Sequence, residues 1–170
     1  AVREISYNKS DEPQTGEVKY AGEFGCTDGW TVYQGQASNM TDGDEGSSVW
    51  YNPTTTEKDT SLAGDYIELD LGEAKPVGRV RALIGAGDGD KWTSYHLEYS
   101  ADGENWTKLS TYTGKASGMD TYEVNLKSES ARYLRIVNDV TVAKWVKFCE
   151  FSAYSYVESG EGDPMDYTNT

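Results

Sequence analysis

The chain has 170 residues and carries 15 lysines and arginines against 29 aspartates and glutamates, a net charge of −14. That length suits one domain around one core, and so acidic a surface repels phosphodiesters and anionic lipid, which excludes nucleic acid and membrane surfaces as partners. With 2 cysteines and 1 histidine, a four-ligand Cys/His zinc site cannot be assembled.

The two thiols, Cys26 and Cys149, are read either as buried free cysteines or as one bridge. No apolar run reaches the ~20 residues of a spanning helix, and the opening Ala1-Val2-Arg3-Glu4 lacks the apolar stretch of a signal peptide. Composition points to β structure, because 13 tyrosines, 5 tryptophans and 18 glycines favour pleated strands joined by tight turns.

In chain order, residues 1–20 mix charges with little periodicity and read as a linker or N-terminal extension. The domain is placed at 21–157. Asp42, Asp44 and Glu45 lie within four residues, where they repel one another unless a cation or solvent intervenes. Gly43 and Gly46 let that turn fold back, so it reads either as a calcium-binding turn or as a solvated acidic one. The segment Tyr66-Ile67-Glu68-Leu69-Asp70-Leu71 alternates with period two and predicts a half-buried strand. Val77 to Ile84 predicts a second.

Between these strands and the next, Gly85-Ala86-Gly87-Asp88-Gly89-Asp90-Lys91-Trp92 reads as a loop. Its glycines are not in the dinucleotide-binding register, and Asp88 and Asp90 would repel a pyrophosphate, so nucleotide binding is rejected. Further strands are predicted at Tyr95 to Tyr99, Trp106 to Tyr112, Thr121 to Leu126, Tyr133 to Val137 and Val146 to Tyr154. Asp102-Gly103 marks a hairpin between the first two of these. His96 falls inside its strand and reads as a strand-face residue. Asn138 to Lys144 is a polar turn leading to Trp145, which reads as either an exposed platform or a cap on the core. Residues 158–170 read as a flexible acidic tail. Regular spacing of short strands suits an all-β sandwich.

Four strings in this order carry a resemblance: Ser38 to Trp50, Ile67-Glu68-Leu69-Asp70-Leu71-Gly72, Glu98 to Trp106, and Ala131-Arg132-Tyr133-Leu134-Arg135-Ile136. Together they resemble the discoidin-like superfamily, which includes the coagulation-factor type C domains and the family 32 carbohydrate-binding modules of secreted bacterial glycoside hydrolases. The match spans roughly Trp30 to Tyr154. Trp30 to Gly35, Thr60 to Gly64 and Lys144 to Phe151 look like modules attached to enzymes acting on N-acetylhexosamine glycans.

The resemblance implies a jelly-roll type β-sandwich with one structural calcium, held by oxygens of Asn39, Asp42, Asp44 and Ser47 and by Glu150 on the last strand. It also implies a shallow sugar site in the loops, with Trp145 as platform, Asp90 and Lys91 on hydroxyls, Trp92 as wall or core, and Tyr51 and Asp59 reaching the same rim. Galactose-binding members commonly use a histidine near Tyr51 to Thr60, then an arginine and an asparagine in the next loop. This sequence has none there, which shifts the expected ligand towards terminal N-acetylglucosamine or a related N-acetylhexosamine.

The expected partners are therefore glycans, with a parent glycoside hydrolase in the same chain, the module itself being a monomer and non-catalytic, and the location extracellular. No opposed carboxylate pair in a deep cleft and no Ser/His/Asp set supports an enzyme. The alternative is a discoidin-like adhesion module binding protein or lipid. Lipid-binding members expose apolar and basic loop tips, whereas these loops are acidic and rich in glycine.

Overall fold

The computed structural model describes residues 13, 16–53, 58–85 and 89–157. The expected tail at 158–170, and residues 1–12 and 14–15 of the expected linker, lie outside the described residues. The strands among the described residues are β1 (Glu23–Cys26), β2 (Thr31–Gln34), β3 (Val49–Asn52), β4 (Tyr66–Ile84), β5 (Ser94–Ser100), β6 (Thr107–Lys108), β7 (Tyr112–Thr113), β8 (Asp120–Asn138) and β9 (Val146–Ser155). A 3-10 turn, Ala37–Met40, buries Met40 before β3. Among the described residues no helix is long and apolar enough to cross a membrane.

The period-two reading of Ile67, Leu69 and Leu71 holds, since all three are buried while Tyr66, Glu68 and Asp70 are half-exposed. The strand count differs. Tyr66 to Leu71 and Val77 to Ile84 belong to one 19-residue strand, β4, and the two runs expected at Thr121 to Val137 belong to the 19-residue β8. These strands pair antiparallel along most of their length, and irregularities between Asp70 and Lys75 and between Val77 and Arg79 break the register. Gly72, at φ +87°, supplies the left-handed step at the first irregularity without a Cβ penalty.

The two halves of β4 and β8 serve different layers. The first half of β4 pairs with β1 and with the second half of β8, which carries β5. The second half of β4 lies between the first half of β8 and β9, and β9 carries β3, which carries β2. The layers meet face to face across one core: Phe24 of β1 packs on Phe151 of β9 with ring centroids 5.8 Å apart, and Tyr95 of β5 on Tyr122 of β8 at 5.4 Å. Each fully buried Ile, Leu or Phe contributes ~1.5–3 kcal/mol of transfer free energy, which is what drives the layers together.

The Asp102-Gly103 hairpin joins β5 to β6 in the antiparallel pairing expected. Backbone N–H groups of Asn105 and Glu104 donate to the Asp102 carboxylate and hold it well below the usual carboxylate range. The strand expected at Trp106 to Tyr112 is split into β6 and β7, which pair with opposite ends of β5. Cys26 and Cys149 are not joined in a disulfide.

One boundary moves. Residues 17–20, expected as linker, run along β9: Ser155 N–H donates to Val18 O and Tyr20 N–H to Ala153 O, each at 2.9 Å. Glu17 also accepts two hydrogen bonds from the Arg79 guanidinium, at 2.9 and 3.1 Å. The polar composition of this segment hides its pairing: Glu17 meets the buried Arg79, and Tyr20 packs against the core from a half-buried position.

Candidate functional site

The site grows from three neighbouring elements: β2, β3 and the start of β9. In β3, Val49 and Tyr51 point into the core while Trp50 and Asn52 face outward. On β2, Tyr33 is 59% exposed. Trp145 stands just before β9 and is half-buried. The three outward rings pack edge to face, with centroids 5.0 Å apart for Tyr33 and Trp50, 5.1 Å for Tyr33 and Trp145, and 5.4 Å for Trp50 and Trp145. Such pairs add ~0.5–1.5 kcal/mol each beyond area burial, so the cluster holds its shape without a ligand. Tyr33, Trp50, Trp145 and Asp90 line an open cleft of about 230 Å3.

The loops around the cleft are stapled together. Ser61 and Val142 exchange backbone hydrogen bonds at 2.8 Å, and Ser61 Oγ donates to Lys144 O at 2.7 Å. Asn138, 1% exposed, donates its amide to the carbonyls of Leu62 and Val140 at 3.0 and 2.9 Å. Asp59 sits at the tip of this staple and accepts the Trp145 indole N–H at 2.7 Å. Across the cleft, Asp90 is tied to β9 by Lys147 N–H donating to its carbonyl at 3.0 Å. The Lys147 ammonium lies 4.2 Å from the centre of the Trp50 ring, a cation–π contact on that face.

Of the six expected sugar contacts, Trp145, Asp90 and Asp59 come together here. The other three do not reach the cleft. Trp92 is 0% exposed and packs against Trp30 and Phe148 at 6.3 and 5.9 Å; it is core rather than wall. Lys91 is 3% exposed, with its ammonium 2.8 Å from Asp120 and 3.0 Å from Gly118 O. Tyr51 is 3% exposed and donates to the Met40 sulfur; burial, then the nearby Cys26 thiol, pushes its hydroxyl well above the usual tyrosine range. Tyr33 and Trp50 also line the cleft, and the sequence reading misses them. For Trp50 a signal existed, since aliphatic Val49 fixes the parity of β3 and sends its alternate residue outward. His96 is a strand residue as read, buried between Asp139 and Glu98 at 2.8 and 2.7 Å.

The acidic turn before β3 gathers oxygens. Ser47 Oγ lies 2.7 Å from Asp42 Oδ2, 3.1 Å from Asp44 O and 3.3 Å from Asn39 O. One hydroxyl proton cannot serve three acceptors, so this turn holds more acceptors than donors. Glu150 on β9 is 0% exposed and close enough to Asp42 to influence its carboxyl. Partial desolvation pushes Asp42 up, and hydrogen bonds led by those from Asp44 N–H and the Ser47 hydroxyl outweigh it, leaving the carboxyl below its ordinary value. Backbone carbonyls, a hydroxyl and carboxylates around a tight turn are the donor set of a hard cation such as calcium. The described residues contain no group of three or more His, Cys, Asp or Glu poised for a metal, so any cation here draws on carbonyl and hydroxyl oxygens as well.

Two antiparallel layers packed on one core make a β-sandwich, with the aromatic cleft on a loop-flanked face. Residues 24–151 match the F5/8 type C domain, and the chain belongs to that family. Among solved structures, it is similar to a family 32 carbohydrate-binding module of a family 31 glycoside hydrolase from Clostridium perfringens, at 17% identity and TM-score 0.60, covering 78% of this chain and 94% of that one. A family 32 module of C. perfringens NanJ, solved with galactose, is 17% identical with TM-score 0.58, covering 81% of this chain and 100% of that one. A module of a C. perfringens family 89 enzyme, solved with GalNAc-β-1,3-galactose, is 23% identical with TM-score 0.54, covering 73% and 92%. No curated protein sequence matches this chain.

Proposed function

We propose that this domain is a non-catalytic carbohydrate-binding module that takes the terminal sugar of a glycan in the Tyr33, Trp50, Trp145 and Asp90 cleft. The observation carrying this reading is the three-ring cluster on the surface of a domain that buries Trp30 and Trp92 in its core. A pyranose lays its C–H face against an aromatic ring and needs a few fixed polar groups for its hydroxyls. The Trp145 indole N–H is already engaged by Asp59, so its ring offers apolar surface, and Asp90 brings a carboxylate to the same cleft. At about 230 Å3, the cleft is smaller than the ~300–1,000 Å3 of drug-sized pockets, which suits one sugar unit. An acetamido methyl fits so apolar a corner, so terminal N-acetylglucosamine or a related N-acetylhexosamine is the preferred ligand. Three rings and one carboxylate do not make the opposed acid pair that glycoside hydrolysis needs.

Two of the similar modules come from glycoside hydrolases of families 31 and 89, and two were solved with galactose-containing sugars; this supports a role in bringing a secreted parent hydrolase to host or mucin glycans. So small a footprint gives a dissociation constant of about 10 µM to several mM. Titrating N-acetylglucosamine, N-acetylgalactosamine and galactose against tryptophan fluorescence tests it. Trp145→Ala should abolish the saturable signal and lower the unfolding midpoint by about 2–12 °C, the value of two edge-to-face contacts at ~0.5–1.5 kcal/mol each. Binding that survives Trp145→Ala would remove the cleft from the mechanism.

Calcium is proposed at the turn of Asn39, Asp42, Asp44 and Ser47 with Glu150, where it would tie the turn to β9 and act on stability alone. At a hundredfold excess over its dissociation constant, a site-bound ion stabilises by ~2.7 kcal/mol, or about 5–11 °C in a domain of this size. Chelation should lower the midpoint by that amount, calcium should restore it, and Asp42→Asn should erase the difference. A midpoint indifferent to chelator in the wild type rules the ion out.

A further inference from the structure

We propose that Asp59 is a positioning residue that sets the orientation of the Trp145 indole, and that it does so as a hydrogen-bond acceptor, not as a charge and not as a sugar contact. The inference rests on the sugar-binding reading of the cleft and adds a residue 86 positions away in sequence to what determines its affinity. Two edge-to-face contacts, with Tyr33 and Trp50, restrain one side of the Trp145 ring. They do not stop it rocking about the bond to its backbone. The Asp59 carboxylate, 2.7 Å from Nε1, adds a directional restraint at the indole N–H.

The backbone at Asp59 is built for this task. Its φ is +58°, a left-handed conformation that Asp and Asn adopt several-fold more often than other residues with a Cβ. The next turn is fixed to the Trp145 loop by the Ser61–Val142 pair and the Ser61 Oγ bond to Lys144 O, so the acceptor and the indole are carried on one rigid unit. Since the indole is neutral, the bond needs a lone pair in the right place rather than a negative charge. Asparagine in place of Asp59 would provide both the left-handed backbone and the acceptor; glycine there would keep the backbone and lose the acceptor.

The experiment compares Asp59→Gly and Asp59→Asn in the full chain, by 15N-edited NMR of the Trp145 indole N–H, assigned through Trp145→Phe, and by titration with N-acetylglucosamine. Asp59→Gly should move the indole resonance upfield and weaken binding about three- to tenfold, the value of one neutral hydrogen bond. Asp59→Asn should restore both. The proposal is overturned if Asp59→Gly leaves resonance and affinity unchanged, or if Asp59→Asn weakens binding as much as Asp59→Gly, which marks a direct charge contact. The resonance is read without sugar, so a wild-type protein that binds no sugar defeats the sugar reading while the indole–carboxylate bond is still decided.

Discussion

Trp92→Ala should destabilise the domain by ~3–5 kcal/mol, the cost of deleting a fully buried large aromatic side chain, and lower the unfolding midpoint by on the order of 10 °C. The ring is 0% exposed and wedged between Trp30 and Phe148, so the cavity left behind has little chance to collapse. Trp92 Nε1 is buried without a hydrogen-bond partner among the described residues. An unmet buried donor costs ~1–3 kcal/mol, and Trp92→Phe, which removes that donor along with part of the ring, should therefore lose much less than Trp92→Ala. Chemical denaturation of the two variants, with sugar titration of the folded protein, separates this residue from Trp145. Trp145→Ala loses ligand at a smaller cost in stability; Trp92→Ala loses more stability and keeps ligand. A Trp92→Ala protein of unchanged midpoint and lost affinity would return Trp92 to the cleft wall.

These two tryptophans mark where local sequence reading succeeds and where it ends. Period-two alternation exposes Ile67, Leu69 and Leu71 as a core face because strand geometry is a local property, and the Asp102-Gly103 turn is legible for the same reason. Trp145 follows a polar turn and stays half-buried, in keeping with its neighbourhood. Trp92 also follows a polar, glycine-rich loop, yet its fate is decided by Trp30 and Phe148, which the fold brings in from 62 and 56 positions away. Lys91 looks like a surface lysine until the chain delivers Asp120 to it.

In β3 the difficulty is different. Trp50 and Tyr51 are adjacent aromatics in a four-residue strand, and alternation says only that they face opposite ways. Choosing which one is inside requires Val49 as the tie-breaker. The bond between Asp59 and Trp145, and the course of residues 17–20 along β9, are tertiary facts with no local signature. The calcium turn is intermediate: its clustered acids are visible, but Glu150 approaches it only through the register of β9.

Lys91→Met should cost ~3–5 kcal/mol, because it leaves a buried carboxylate without its cation. Asp120 is 0% exposed, and its oxygens take the Lys91 ammonium at 2.8 Å, the Tyr95 hydroxyl at 2.7 Å and the Lys115 N–H at 2.9 Å. Burial, then the Asp120 hydrogen bond and charge, hold the Tyr95 hydroxyl protonated far above the usual tyrosine range, so Tyr95 remains a donor at any working pH but cannot neutralise the charge. The surroundings are too tight for solvent to replace the lysine: a Cβ at Gly114 would collide with Asp120 Oδ2, and one at Gly85 would come within 3.1 Å of the Lys91 side chain. Adding Asp120→Asn to Lys91→Met removes the stranded charge and should recover a good part of the loss, a coupling that a double-mutant cycle measures directly. Sugar affinity of the folded Lys91→Met protein should stay at the wild-type value, since the ammonium points to Asp120 and Gly118 O and away from the aromatic cleft. If Lys91→Met instead weakened sugar binding and left the denaturation curve in place, the lysine would be a rim contact, and the Gly85 to Trp92 loop would have to turn outward to carry it there.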